Sequence, residues 1–302
     1  MELLKKTNID FIGMKNISFI ISGIISIIGI IGIIQIALGT ANMGIDFSGG
    51  TSVQLKFAQP VSIEQARQAL AKHNLKEANL QEIKEGNKLL IKVGKTTLAT
   101  GKVAETIEGV FKQEMPGNSF VVESSTEIGP SIGDKLRKDT LVAVVISLIG
   151  IIIYIAWRFD FKFGVGAVVS TTHDVLAMIA VFFVLDKEVN LLLITAVLTI
   201  AGYSLTDTVV VFDRIRENLH KNLKESLPSI FNKSINEVLS RTVITSITTF
   251  LAAFSLFLFG GEVIHDFAFA LVVGVVVATY SSIFVASPVV VILENRGAKA
   301  KA

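Results

Sequence analysis

Ile17-Ser18-Phe19-Ile20-Ile21-Ser22-Gly23-Ile24-Ile25-Ser26-Ile27-Ile28-Gly29-Ile30-Ile31-Gly32-Ile33-Ile34-Gln35-Ile36-Ala37-Leu38 carries no charge between Lys15 and Asp46. About 20 such residues, at 1.5 Å of rise each, cross the ~30 Å hydrocarbon layer of a bilayer. A secretory signal core is shorter, ~7–15 residues. The run therefore reads as a retained membrane helix, although Ala37-Leu38-Gly39-Thr40-Ala41 offers the small residues of a cleavage site. Five comparable runs follow: Thr140–Trp157, Phe163–Leu185 around His173 and Asp174, Val189–Phe212 around Asp207, Thr242–Gly261 and Phe267–Leu293. Composition agrees. Of 302 residues 51% are hydrophobic and 18% charged, against about 25% charged in a soluble domain, and mean hydropathy is +0.63. With no cysteine there is no disulfide framework, thiolate metal site or cysteine nucleophile. A net charge of +2 without a basic block does not suggest a nucleic-acid binder. The expected fold is an α-helical polytopic membrane protein with six transmembrane helices.

Orientation follows from the Lys and Arg of the short flanks, which favour the cytoplasmic side. Lys5, Lys6 and Lys15 precede the first span. Arg158 and Lys162 separate the second from the third. Arg214, Arg216, Lys221, Lys224 and Lys233 separate the fourth from the fifth, and Arg296, Lys299 and Lys301 follow the sixth. The short turns on the other side hold only Lys187. Both termini are thus expected in the cytoplasm. The reading divides the chain into a cytoplasmic start at 1–16, a span at 17–38, an outer domain at 39–138, spans two to six at 139–293 with a cytoplasmic loop at about 213–240, and a tail at 294–302.

The outer stretch has ordinary globular composition. Thr51–Phe57 alternates apolar and polar, the period of a half-buried strand, and Pro60 ends it. Ser62-Ile63-Glu64-Gln65 has the form of a capping box and opens a helix through about Lys72. Strands at Asn79–Lys84 and Lys88–Val93 flank a Glu85-Gly86-Asn87 turn. Leu98–Glu114 reads as a second helix, and Ser119–Glu123 as a last strand. The order βαββαβ predicts an α+β, ferredoxin-like outer domain. No catalytic constellation appears in it. His73 reads as a surface residue, and Gly94-Lys95-Thr96 lacks the earlier glycine of a phosphate loop, since position 89 is Leu89. Gly129, Pro130 and Gly133 predict a hinge between this domain and span two.

Ionisable residues inside a span cost ~2.5–3.5 kcal/mol even on lenient insertion scales, so they face a partner or a watery path. His173-Asp174 falls near the middle of span three. Asp207 lies six residues before Asp213 in span four, about 9 Å along a helix. Arg241 opens span five. Helical spacing places Thr245, Thr248 and Thr249 on the Arg241 face, Tyr203 and Ser204 beside Asp207, and Ser170 and Thr171 below Asp174. Together these groups are expected to line a narrow hydrated path. Snorkelling of Arg241 to the surface and structural hydrogen bonding of the others are the competing readings.

Four motifs carry a resemblance over almost the whole length. They are Gly44-Ile45-Asp46-Phe47-Ser48-Gly49-Gly50-Thr51 after span one; His173-Asp174; Ala201-Gly202-Tyr203-Ser204-Leu205-Thr206-Asp207-Thr208-Val209-Val210-Val211-Phe212-Asp213-Arg214-Ile215-Arg216-Glu217-Asn218; and Leu239-Ser240-Arg241-Thr242-Val243-Ile244-Thr245-Ser246. With them the chain resembles the SecF family, the smaller subunits of bacterial SecDF protein-export complexes, related to the RND transporters. Thr206 stands where that family often has Asn, and Glu237-Val238 replaces a commoner Gln-Thr. The resemblance implies a multi-pass protein of the bacterial cytoplasmic (inner) membrane that uses proton or sodium motive force to promote preprotein translocation and release. It implies Asp207 and Arg241 as the ion-coupling pair, with His173, Asp174, Ser204, Thr245 and Thr248 along the path. Gly44, Asp46, Phe47, Gly49, Gly50, Thr51, Asp213 and Arg214 are implied as signature positions. The implied partners are SecD, the SecYEG translocon, SecA, YajC, YidC, the preprotein and membrane lipid. No nucleic acid, cofactor, metal or enzymatic reaction is expected. An RND-type small-molecule exporter and a passive translocon scaffold are the alternatives.

Overall fold

The computed structural model describes residues 7–83, 86–94, 102–221 and 225–299. In chain order, α1 (Lys15–Leu38) and a short α2 (Ile45–Ser48) precede β1 (Gly50–Phe57), α3 (Ile63–Ala71), β2 (Asn79–Ile83), β3 (Lys88–Val93), α4 (Val103–Glu114) and β4 (Phe120–Ile128). Long helices follow: α5 (Pro130–Arg158), α6 (Phe161–Val184), α7 (Leu191–Lys221), α8 (Leu227–Phe259), α9 (Glu262–Ser281), a π turn (Ser282–Ala286) and α10 (Ser287–Lys299). The chain forms two compact units, Met43–Val142 and Met1–Asn42 with Ala143–Ala302.

In the smaller unit the strands lie in the order β2-β3-β1-β4, antiparallel throughout. That is the split βαβ of a ferredoxin-like sandwich. The alternation of β1 buries Val53, Leu55 and Phe57, and the register sets Val53 opposite Ile91 and Leu55 opposite Leu89. Against this face pack Ala66 and Leu70 of α3 and Ile107 and Phe111 of α4. The capping box forms: Ser62 Oγ accepts from the Gln65 amide while the Ser62 amide donates to Gln65 Oε1. His73 does have a partner. Its Nε2 lies 3.4 Å from Glu114 Oε1, and Lys72 pairs with the same carboxylate at 2.5 Å. The Lys72 hydrogen bond, with His73 beside it, holds the Glu114 carboxyl below its ordinary range.

Two local expectations need correction. The last strand runs five residues past Glu123 to Ile128, because β1 offers backbone partners as far back as Gly50. The expected hinge residues Gly129, Pro130 and Gly133 lie where β4 ends and α5 begins. Pro130 occupies the first position of α5, where its missing N–H costs no hydrogen bond, and Gly133 continues the helix. The segment read as a loop at 213–240 is mostly helix, since α7 continues to Lys221 and α8 starts at Leu227, with Pro228 in its first turn. Ile215, Phe231, Ile235 and Leu239 give these extensions an apolar face, and charged residues cover the other. The expected beginning of the second outer helix, Leu98–Gly101, the last residue of the predicted strand, Lys84, and Glu85 of the predicted turn lie outside the described residues.

Among the described residues six helices are long and apolar enough to span a membrane: Lys15–Leu38, Pro130–Arg158, Phe161–Val184, Leu191–Lys221, Leu227–Phe259 and Ile264–Asn295. α6, α7 and α9 pack against one another, and α8 lies against α7 and α9. α1 meets α6; its buried positions are Ser18, Ser22, Gly29 and Gly32, the small-residue seam by which helices approach closely in lipid. Outward-facing Ile20, Ile24, Ile146, Ile153 and Leu251 are exposed, as a hydrocarbon solvent permits. At the end that carries the Lys and Arg, Phe11 and Ile12 are buried among Phe163, Phe212, Phe231 and Val290. Asn236 fixes this N-terminal strap by pairing with both the amide and the carbonyl of Ile9, at 3.0 and 2.9 Å, and Asn232 accepts from the Ile12 amide.

Candidate functional site

Helical periodicity puts Ser170, His173 and Asp174 on one side of α6 and Ser204, Asp207 and Thr208 on one side of α7; all six are buried. Asp174 is wholly buried. It accepts a hydrogen bond from Ser204 Oγ, and His173 Nδ1 lies 3.2 Å from its other oxygen. Asp207, 8% exposed, accepts from Ser282 Oγ at 2.6 Å. Ser170 donates to Ser281 at 3.1 Å. Tyr280 bridges toward α1, donating to the Ser18 carbonyl at 3.0 Å with Ser22 Oγ also at 3.0 Å, and its ring sits 5.9 Å from that of His173. The result is a buried polar layer made from α1, α6, α7 and the last span.

Span five reaches this layer with a face other than the one that holds Arg241. Thr242 and Ser246 are buried, and Ser246 accepts from Thr279 at 2.7 Å. Thr242 Oγ1 lies beside the Asp207 carboxylate but closes no hydrogen bond of ordinary length. Arg241, Thr245 and Thr248 are exposed, and both threonine hydroxyls donate back to carbonyls of their own helix. No ion pair between Arg241 and Asp207 is present among the described residues. Buried polar atoms without partners there are His173 Nε2, Thr208 Oγ1 and Thr242 Oγ1, all on helices of this layer.

The other motif residues serve structure. Asp213 pairs with Arg158 of α5 at 2.5 Å, and Arg214 joins Glu237 of α8 at 2.6 Å and Glu217 at 2.5 Å. Gly44 caps α2, which contains Asp46 and the buried Phe47; Thr51, in β1, is buried. Gly49 and Gly50 have φ of +70° and +136°, and a Cβ on Gly50 would meet the Val93 carbonyl oxygen at 2.4 Å. Only glycine permits both the turn and that approach.

Ser281, Ser282, Thr279 and Tyr280 were not singled out from the sequence. A signal exists: Pro288 sits within an apolar span, where its ring collides with the carbonyl four residues earlier and widens the preceding turn. The π turn Ser282–Ala286 is that widening.

A family model described as "Protein export membrane protein SecD/SecF, C-terminal" matches residues 108–296, and one described as "SecD/SecF GG Motif" matches residues 41–61. The chain is 53% identical to the protein translocase subunit SecF of Thermodesulfovibrio yellowstonii, covering 97% of each chain. The chain belongs to the SecF family of protein translocase subunits. It is 41% identical to the SecF of Calditerrivibrio nitroreducens, over 98% of this chain and 97% of that one. Among solved structures it is similar to SecDF of Thermus thermophilus, a translocon-associated membrane protein, with a TM-score of 0.85 and 34% identity. That match covers 96% of this chain and 39% of the longer SecDF chain. SecF family membership and the six apolar helices make this a multi-pass membrane protein of the Sec protein-transport machinery.

Proposed function

We propose that this chain works with SecD in the cytoplasmic membrane, using the proton or sodium motive force to promote preprotein translocation and release. Both termini then face the cytoplasm, as the Lys and Arg distribution requires. Support for the partnership comes from the Brucella abortus relative named SecDF, 41% identical, of which this chain covers 33%. The SecYEG translocon, SecA, YajC and YidC are the further partners of this reading, and the outer domain helps a SecD domain hold emerging chains.

The observation that carries the ion-coupling part is Asp207: a carboxylate within a spanning helix, buried, held by a hydroxyl and not by a cation. Burial favours the neutral form of a carboxyl, whereas a nearby guanidinium favours the charged form. A cycle in which Asp207 alternates between its hydroxyl partner and Arg241 therefore takes up and releases a proton. The exposed Arg241–Thr245–Thr248 face of α8 is where a SecD span and its carboxylate complete the path. His173, Asp174 and Ser204 extend it away from the cytoplasmic side. One charge crossing 100 mV releases about 2.3 kcal/mol, comparable to a modest domain movement.

The test is preprotein export in inverted vesicles containing SecD, the translocon, its ATPase and either the natural chain or Asp207→Asn. Export is followed after ATP-driven initiation, with and without an imposed proton or sodium gradient. Stimulation by one gradient that disappears in Asp207→Asn, with assembly intact, is the expected result. A variant that responds like the natural chain would replace ion coupling by a scaffold role.

A further inference from the structure

We propose that Ser282 is a further proton-handling residue of this site, the hydroxyl that accompanies the Asp207 carboxyl through both of its protonation states. The inference rests on the reading of Asp207 as the ion-coupling group. Ser282 is wholly buried, and its Oγ lies 2.6 Å from Asp207 Oδ2 and 3.2 Å from the Thr279 carbonyl oxygen. Those two acceptors are what the role needs. While Asp207 is ionised, the Ser282 hydroxyl donates to it. When a proton arrives, an O–H bond forms on the carboxyl and donates to Ser282 Oγ, whose own hydrogen turns to the Thr279 carbonyl. Departure of the proton to water breaks the carboxyl O–H bond and the serine hydrogen swings back. Neither state leaves the Ser282 hydroxyl or Asp207 Oδ2 without a partner, the condition that otherwise opposes burial of an ionisable side chain.

The backbone supplies the placement. Ser282 begins the π turn, whose geometry follows from Pro288, and the Ser287 hydroxyl donates to the Ser282 carbonyl at 3.2 Å. Thr242, the other hydroxyl beside Asp207, approaches it without the geometry of a full hydrogen bond. Ser281 is equally buried but bonds Ser170 and the Ala278 carbonyl, with no carboxylate partner. It separates a proton-handling role from that of any buried serine in this span.

The experiment measures the gradient-driven increment of export in the SecD-containing vesicles for Ser282→Ala, Ser282→Thr, Ser281→Ala and Asp207→Asn, each checked for co-purification with SecD. Ser282→Ala is expected to cut the increment by about tenfold, the scale of one lost hydrogen bond to a charged group. Ser282→Thr and Ser281→Ala are expected to stay within about twofold of the natural chain, because the first keeps the hydroxyl and the second never touches Asp207. Should Ser282→Ala fail to co-purify, Ser282→Cys replaces it, similar in shape but a weak donor, with the same loss expected. Full activity of the Ala or Cys variant, or an equal loss in Ser281→Ala, overturns the inference. If Asp207→Asn loses the increment while Ser282→Ala keeps it, only the Ser282 role falls. If Asp207→Asn itself keeps the increment, the ion-coupling reading falls first.

Discussion

Gly29→Ala tests whether close backbone approach holds span one in the bundle. A Cβ at this position would lie 2.2 Å from the Leu176 carbonyl oxygen and 2.8 Å from its carbon. Ordinary contact begins at 3.4 Å, so α1 and α6 must part locally by the difference, about 1.2 Å. The obstacle is backbone and cannot rotate aside. A gap of about 0.5–1 Å already forfeits a quarter to a half of the dispersion energy of the atoms it separates, and this one is slightly wider. It also pulls on the hydrogen bonds that join Tyr280 to the Ser22 hydroxyl and to the Ser18 carbonyl, two turns and more away. Overpacking of this kind costs ~1–3 kcal/mol. The gain in helix propensity from glycine to alanine, ~0.5–1 kcal/mol, opposes it, leaving a net loss of up to about 2.5 kcal/mol. Gly23, on the same helix, has nothing within 4 Å of its would-be Cβ. Gly23→Ala should therefore keep only the propensity gain. Unfolding in mixed micelles by added dodecyl sulfate, followed by far-ultraviolet circular dichroism, measures both variants. The signs should be opposite. If Gly29→Ala proves as stable as Gly23→Ala, the seam does not depend on backbone contact and this account of it is wrong.

Other outcomes follow from the same structure. Phe11→Ala should cost ~3–5 kcal/mol as a cavity at the Lys- and Arg-rich end of the core, and Asn236→Ala should release the strap with a smaller loss. Hydrogen exchange at Ile9–Gly13 checks both, since Asn236→Ala should raise it without changing exchange in α7. Glu114 has a depressed pKa in the folded state, so its contribution is fully present above the ordinary value, about 4.5, and disappears as pH falls through the lower folded value. Exchange of the α4 amides in the intact protein should then rise as pH drops below that range, after correction for intrinsic rates. Glu114→Gln should remove this dependence, and an unchanged profile would show that the Lys72 and His73 contacts do not form.

Much of the architecture was legible because each feature is local. An uncharged run long enough to cross hydrocarbon must be a helix, since no other single segment satisfies its own backbone in lipid. Alternation at Thr51–Phe57 and the capping box at Ser62–Gln65 set strand and helix in the outer domain just as locally, and the depth of Asp207 needed only a count to Asp213. The extensions of α7 and α8 were missed for the opposite reason: charged residues on one face look like loop until Ile215, Phe231 and Ile235 are seen packing on the other.

What sequence could not determine is how each helix is rotated about its axis. Spacing of three, four and seven assigns residues to a shared face but does not say where that face points. Arg241, Thr245 and Thr248 do share a face, yet it is Thr242 and Ser246 that packing turns into the bundle. The same holds for the partner of Asp207. Ser282 lies 75 residues further along the chain, on a π turn whose cause, Pro288, is visible in sequence, while its consequence exists only where the last span meets α7. Chain chemistry alone selected the helices and the carboxylate. The hydroxyl that meets it was decided by the packing of six helices, because rotation about a helix axis is settled by neighbours that are remote in sequence.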